Sequence, residues 1–232
     1  MINFTNIKNI ILTAAVSGLL AGLLLTIIQH FFVMPSLFEA EIFEHAATEI
    51  SSPITTENHE MEEWQPEDGI ERTIYTALAN ISMAFSFAML LGAAILVSGK
   101  QTNWLTGGIW GIAGYLVFFV APALGLPPEV PGAEAAALKD RQLWWLATVL
   151  ATAIGLALLV FPGNWLLKAS GLLILISPHL IGAPQPEVHA SAAPQSIVKS
   201  FINAAIIANL IFWLALGIFQ GIFTKKGLQP DF

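Results

Sequence analysis

From Ile10 to Met34 the chain runs for twenty-five residues without an Asp, Glu, Lys or Arg. A helix needs about 20 mostly apolar residues to cross a bilayer, and this run exceeds that. It is too long for the roughly 7–15-residue apolar core of a signal peptide, and no A-x-A cleavage pattern follows it, so it reads as a retained span. Five further apolar runs follow, at about 70–97, 104–124, 142–161, 165–182 and 197–223. The expected fold is all-α: a polytopic membrane helical bundle of about six transmembrane helices, forming a single membrane domain over 1–232. The composition agrees. Only 11% of residues are charged, against about 25% in soluble domains, and the mean hydropathy is +0.72.

The acids are not spread evenly. Eleven of sixteen fall between 35 and 72, from Glu39, Glu41 and Glu44 to Asp68 and Glu71. This stretch reads as an acidic extracytoplasmic loop, with Trp64-Gln-Pro66-Glu-Asp68-Gly69 as the turn into the second span. With six spans, Lys8, Lys100, Lys168, Lys225 and Lys226 fall on one side, and Arg72, Lys139, Arg141 and Lys199 on the other. The first set is taken as cytoplasmic, which places both termini in the cytoplasm. All five histidines (His30, His45, His59, His179 and His189) and every acid except Asp231 then face outward. An outer face of that charge attracts cations.

Several classes of function are excluded or unsupported. There is no cysteine, hence no disulfide, thiolate metal site or cysteine nucleophile. No basic patch exists for nucleic acid. No G-x-x-x-x-G-K-[ST], H-E-x-x-H or G-x-S-x-G motif is present, so the chain carries no nucleotide-driven motor and no recognisable catalytic centre. It reads as a non-enzyme with no permanently bound cofactor.

Two outer helix ends carry a related pattern. His30-Phe-Phe-Val-Met-Pro35-Ser-Leu-Phe-Glu39-Ala-Glu41 closes the first span, and His179-Leu-Ile-Gly-Ala-Pro184-Gln-Pro186-Glu187-Val-His189 closes the fifth. Imidazole and carboxylate are ligands that borderline divalent metals accept. His30 and His179 are candidate ligands at a shared outer mouth, with Glu187 and His189, and Glu39 and Glu41 if their segment is extended. The alternatives are a histidine bonded to a backbone carbonyl and solvated loop acids. Gln29, Asn80 and Asn203 are candidates for lining a path inward. The pairs Gly18/Gly22, Gly107/Gly111 and Gly217/Gly221 are small-residue packing signals. Trp64, Trp104, Trp144, Trp145 and Trp165 read as interface anchors. Short connections make the second and third spans, and the fourth and fifth, antiparallel hairpins.

Five ordered runs carry a resemblance: Gly22-Leu-Leu-Leu-Thr-Ile-Ile-Gln-His30, Asp68-Gly-Ile-Glu-Arg-Thr-Ile-Tyr-Thr-Ala-Leu-Ala-Asn80, Ala121-Pro-Ala-Leu-Gly-Leu-Pro-Pro-Glu-Val-Pro-Gly132, Arg141-Gln-Leu-Trp-Trp145 and Pro178-His-Leu-Ile-Gly-Ala-Pro-Gln-Pro-Glu187. Together they resemble the probable cobalt transporter subunit family, CbtA, over nearly the whole chain. The resemblance implies a protein of the bacterial cytoplasmic (inner) membrane that takes up Co2+ in support of cobalamin synthesis. It also implies a small single-span histidine-rich partner subunit. Ligand type alone does not fix the metal, because affinity orders place nickel and copper above cobalt; Ni2+ is the alternative cargo. The rival readings are a non-transporting structural or accessory subunit of a larger membrane complex, or of a homo-oligomer, and a membrane-bound metal chaperone or sensor.

Overall fold

A computed structural model describes residues 4–51, 66–100 and 102–227. His59, Trp64 and the glutamates from 57 to 63 lie outside them, as does the last stretch of the chain. The described residues are helical apart from connections and one isolated antiparallel bridge, Ala133 to Ser191. In chain order the helices are α1 (Phe4–Ile28), α2 (Met34–Ser51), α3 (Ile70–Ser98), α4 (Trp104–Tyr115), the single turn α5 (Ala121–Ala123), α6 (Leu138–Val160), α7 (Trp165–Ile181) and α8 (Gln195–Gly227). Five apolar stretches are long enough to cross a membrane, and α7 is a sixth, shorter apolar helix. The expected helical membrane bundle is therefore what forms.

The first span does not end at Pro35. A π turn over Gln29–Val33 joins α1 to α2, and the helical path continues to Ser51. Proline lacks an N–H and crowds the carbonyl one turn back. Here the widened turn takes up that defect: the Met34 N–H bonds the Gln29 carbonyl, five residues back. The Ser36 hydroxyl donates to the Val33 carbonyl at 2.9 Å. The same device recurs in α4, where a π turn over Leu116–Val120 precedes Pro122 and the Ala121 N–H bonds the Leu116 carbonyl. Residues 35–51, expected as the start of a loop, are thus helical. Proline was read as a stop, whereas a π turn lets the helix pass it.

The three most extensive antiparallel contacts of the bundle each close on glycine. At Gly18 and Gly22 of α1, an added Cβ would lie 2.7 Å from Phe85 Cα and 2.6 Å from Ile81 Cα of α3. Gly107 and Gly111 of α4 abut the backbone of Gly217 and Trp213 of α8, and Gly155 of α6 abuts Gly171 of α7. Lipid tails are as apolar as leucine side chains, so helices associate in a membrane through such close packing. The fourth–fifth hairpin forms as expected, as α6 against α7. The second–third one is looser, because α3 packs mainly on α1 and the glycine face of α4 is taken by α8.

The centre is aromatic. Trp213 stacks on Phe118, with centroids 5.5 Å apart and planes 6° apart, and Phe87 lies 4.8 Å away. Two polar clamps tie α1 to its neighbours. The fully buried Gln220 donates to the Ala88 carbonyl at 2.6 Å and accepts from the Ser17 hydroxyl at 3.2 Å. Asn80 donates to Gln29 Oε1 at 2.6 Å and to Thr26 Oγ1 at 3.1 Å. Both amide hydrogens of Asn80 are thus used between helices, and Asn203 is exposed on α8. The polar residues expected to line a path do not form a continuous row.

Candidate functional site

Antiparallel packing gathers the end of α1, all of α2 and the starts of α3, α6 and α8 at one end of the bundle, with the segments 124–137 and 182–194. Every described acid lies there: eleven, against the bases Arg72, Lys139, Arg141 and Lys199. Lys8, Lys100 and Lys168 belong to the opposite end. This acidic end also holds the four described histidines.

His30 lies in the π turn, exposed, with its ring edge-on to Phe31 at 5.1 Å. It borders a shallow apolar recess formed by Gly69, Ile70, Thr73 and Ile74 at the start of α3. His179 sits on α7, half-buried, against Trp144 of α6 at 6.0 Å. Trp144 is itself buried, and its indole N–H donates to the Pro178 carbonyl at 3.3 Å. It is a packing residue within the hairpin, not the interface anchor expected; Trp104 and Trp165 are exposed as anchors should be. The two histidines therefore belong to different helix pairs, α1 with α3 and α6 with α7. Among the described residues no group of three or more His, Asp or Glu side chains is arranged to hold a metal ion.

The glutamates of α2 separate because the segment is helical. Residues two apart point to different sides of a helix, so Glu39 is exposed while Glu41 turns to α3. There Arg72 donates to both carboxylate oxygens of Glu41, at 2.5 and 3.2 Å. Arg72 also reaches Asp68 at 3.0 Å, and Phe38 lies 4.8 Å beneath its guanidinium. Glu71 accepts from the Glu67 N–H at 3.1 Å. The start of α3 is thus held by its own charges together with Glu41 of α2.

Glu187 and His189 are exposed in the 182–194 segment. That segment pairs with 124–137: the Glu134 N–H bonds the Ala190 carbonyl at 3.0 Å, and the Ala192 N–H bonds the Gly132 carbonyl at 3.1 Å. Gly132 takes a φ of 72°, which L side chains adopt rarely, so the tight turn depends on glycine. Between the two segments and the first turns of α8 lies a cavity of about 320 Å³. Glu129, Glu134, Arg141, His189 and Gln195 are among its lining residues. Arg141 donates to Glu129 at 2.5 Å. Of these, only His189 was a candidate from sequence. Nothing in the spacing of Glu129 and Arg141 announces that the segment between them folds back to bring them together.

Residues 7–225 match the family model described as probable cobalt transporter subunit (CbtA). The chain belongs to the CbtA family. Curated proteins and solved structures hold no match to it. For a CbtA chain the arrangement makes chemical sense: an anionic end surrounds a solvent-reachable cavity, mainly apolar with a few charged side chains, while the opposite end carries lysines. The family description calls its members subunits.

Proposed function

We propose that this chain is the membrane subunit of an uptake system for Co2+, with Ni2+ as the alternative cargo, in the bacterial cytoplasmic membrane. The match to the CbtA family over 7–225 carries the reading. The excess of carboxylates at one end supports it, since a field of one sign concentrates counter-ions at a mouth. In this reading the acidic end faces outward and both termini are cytoplasmic. His30, His179, Glu187, His189 and Glu39 act as separate capture groups, each holding an ion that keeps most of its water; Glu41 is engaged with Arg72. Loose holding suits cargo that must leave again. The chain performs no covalent chemistry and retains no cofactor, and a small single-span histidine-rich subunit is the proposed partner.

The second reading is a non-transporting accessory subunit, favoured by the lack of any three-residue ligand cluster among the described residues. Radiolabelled Co2+ uptake into proteoliposomes holding this chain alone separates the two. The expected result is saturable uptake that falls several-fold at low metal in the double variant Glu187→Gln, His189→Gln. No uptake above empty vesicles, either alone or with the single-span partner co-reconstituted, would leave the accessory role. Orientation is checked independently: an alkaline phosphatase fused after Phe232 should be inactive, and an active fusion would reverse the sides.

A further inference from the structure

The cavity between the 124–137 and 182–194 segments is not built for a bare cation. Pro127, Pro128, Pro184 and Pro186, with Val198 and Ile202, give it apolar walls. Proline fixes φ and has no N–H, so these walls are preset and poor in donors. The volume is about 320 Å³. Sites for small organic molecules run from roughly 300 to 1,000 Å³ and are mostly apolar, with a few placed polar groups. Arg141 supplies one such group. Its Nη2 donates to Glu129 Oε2 at 2.5 Å, whereas its Nε is buried with no hydrogen-bond partner among the described residues. A guanidinium presents a fork of N–H donors matched to carboxylates, and a buried donor without an acceptor is costly. One part of the fork holds Glu129, and the Nε–H remains for a second oxygen. Charge limits what can bring that oxygen. Acids outnumber bases eleven to four among the described residues of this end, so a free anion is repelled. A bare divalent cation is drawn in, yet it finds no group of three ligands among the described residues. A cation already wrapped by a small organic acid meets both conditions: its charge is offset, and it carries its own ligands.

We propose that this cavity binds a divalent cation chelated by a small organic carboxylate. Arg141 Nε donates to a carboxylate oxygen of the chelator, the proline walls pack its carbon skeleton, and His189 fills a coordination position that the chelator leaves open. The chelator thus supplies the ligands that the chain lacks. The site stands on the cavity and its unpaired donor; that the bound complex is cargo rests on the uptake reading.

The probe is the neutral complex of Co2+ with iminodiacetate, compared with Co2+ alone, on the full chain in nanodiscs. Iminodiacetate is achiral, so circular dichroism in the visible cobalt bands appears only when the complex is seated in a chiral site. The chelate should saturate that signal at a roughly tenfold lower concentration than the bare ion, as one hydrogen bond to a charged group implies. Arg141→Lys keeps a charge beside Glu129 but loses the planar fork, and should bring the chelate to the level of the bare ion. Gln195→Trp should do the same by filling the cavity, which Gln195 lines from an exposed position at the start of α8; it decides the matter if the first variant fails to fold. Bare Co2+ binding as tightly as the chelate overturns the proposal, and so does chelate binding that the variants leave unchanged. Proteoliposomes separate the site from its use. Uptake of Co2+ that iminodiacetate only suppresses overturns the chelate as cargo and leaves transport standing. A seated chelate with no uptake of either form refutes transport and leaves the site.

Discussion

Gly111→Leu is expected to abolish recovery of folded, monodisperse protein from the membrane. The first atom of the new side chain would fall on the Trp213 carbonyl oxygen and 3.2 Å from Gly217 Cα. Both belong to the backbone of α8, so no rotamer change makes room. Overpacking costs about 1–3 kcal/mol where side chains can yield; here whole helices must separate. Separation would also undo the neighbouring contacts of Gly107, Gly217 and Gly221, which lie along the same seam. Size-exclusion profile and thermal midpoint in detergent read the effect. Gly108→Ala is the control. Its Cβ would meet only Ile218 Cγ1 at 3.5 Å, an ordinary contact, and alanine favours a helix over glycine by up to about 1 kcal/mol. A normal profile and midpoint for Gly111→Leu would refute the seam.

Trp213→Ala should cost nearly as much, by the opposite route. Trp213 is 3% exposed, stacks on Phe118 and meets Phe87 at a tilt and Phe212 edge-on. Its ring also fills the space left by Gly114. Soluble cores lose roughly 3–5 kcal/mol on Trp or Phe truncation, partly as transfer free energy and partly as cavity. In a bilayer the transfer part shrinks, because the exposed alternative is lipid, leaving a cavity cost on the order of 2–3 kcal/mol. The expected outcome is a clearly lowered thermal midpoint, partly restored by Trp213→Phe. If Trp213→Ala melts like the parent, the aromatic centre does not hold α3, α4 and α8 together.

The helices were legible because lipid imposes their length and polarity on every span, and all but the first of the six agree with the expected runs within about four residues at both ends. Glycine spacing likewise announced the contacts at Gly18/Gly22 and along α4. What failed was punctuation. Pro35 reads as a terminator in any local rule, and only the register shift at Gln29–Val33 shows how a helix carries on past it through residues 35–51. Pairing between distant segments was equally hidden. Glu41 with Arg72, Glu129 with Arg141 and His179 beside Trp144 depend on which helices become neighbours, and hydropathy is silent on that. The candidate histidines lie at the expected end, but on helix pairs whose separation no linear pattern encodes.

Helix α7 has only 17 residues. At 1.5 Å per residue it is about 25 Å long, whereas a typical hydrocarbon core is about 30 Å thick. Its partner α6, with 23 residues, spans that thickness with ease. A bilayer meeting the hairpin on its α7 side must pinch inward by several ångströms, and thinning of this kind carries a modest cost for each ångström. The molecule therefore has a thin flank and a thick flank. It should gather short-chain lipids along the first and favour membranes of lesser thickness, so acyl-chain length becomes a variable to which this protein responds without any lipid-binding pocket.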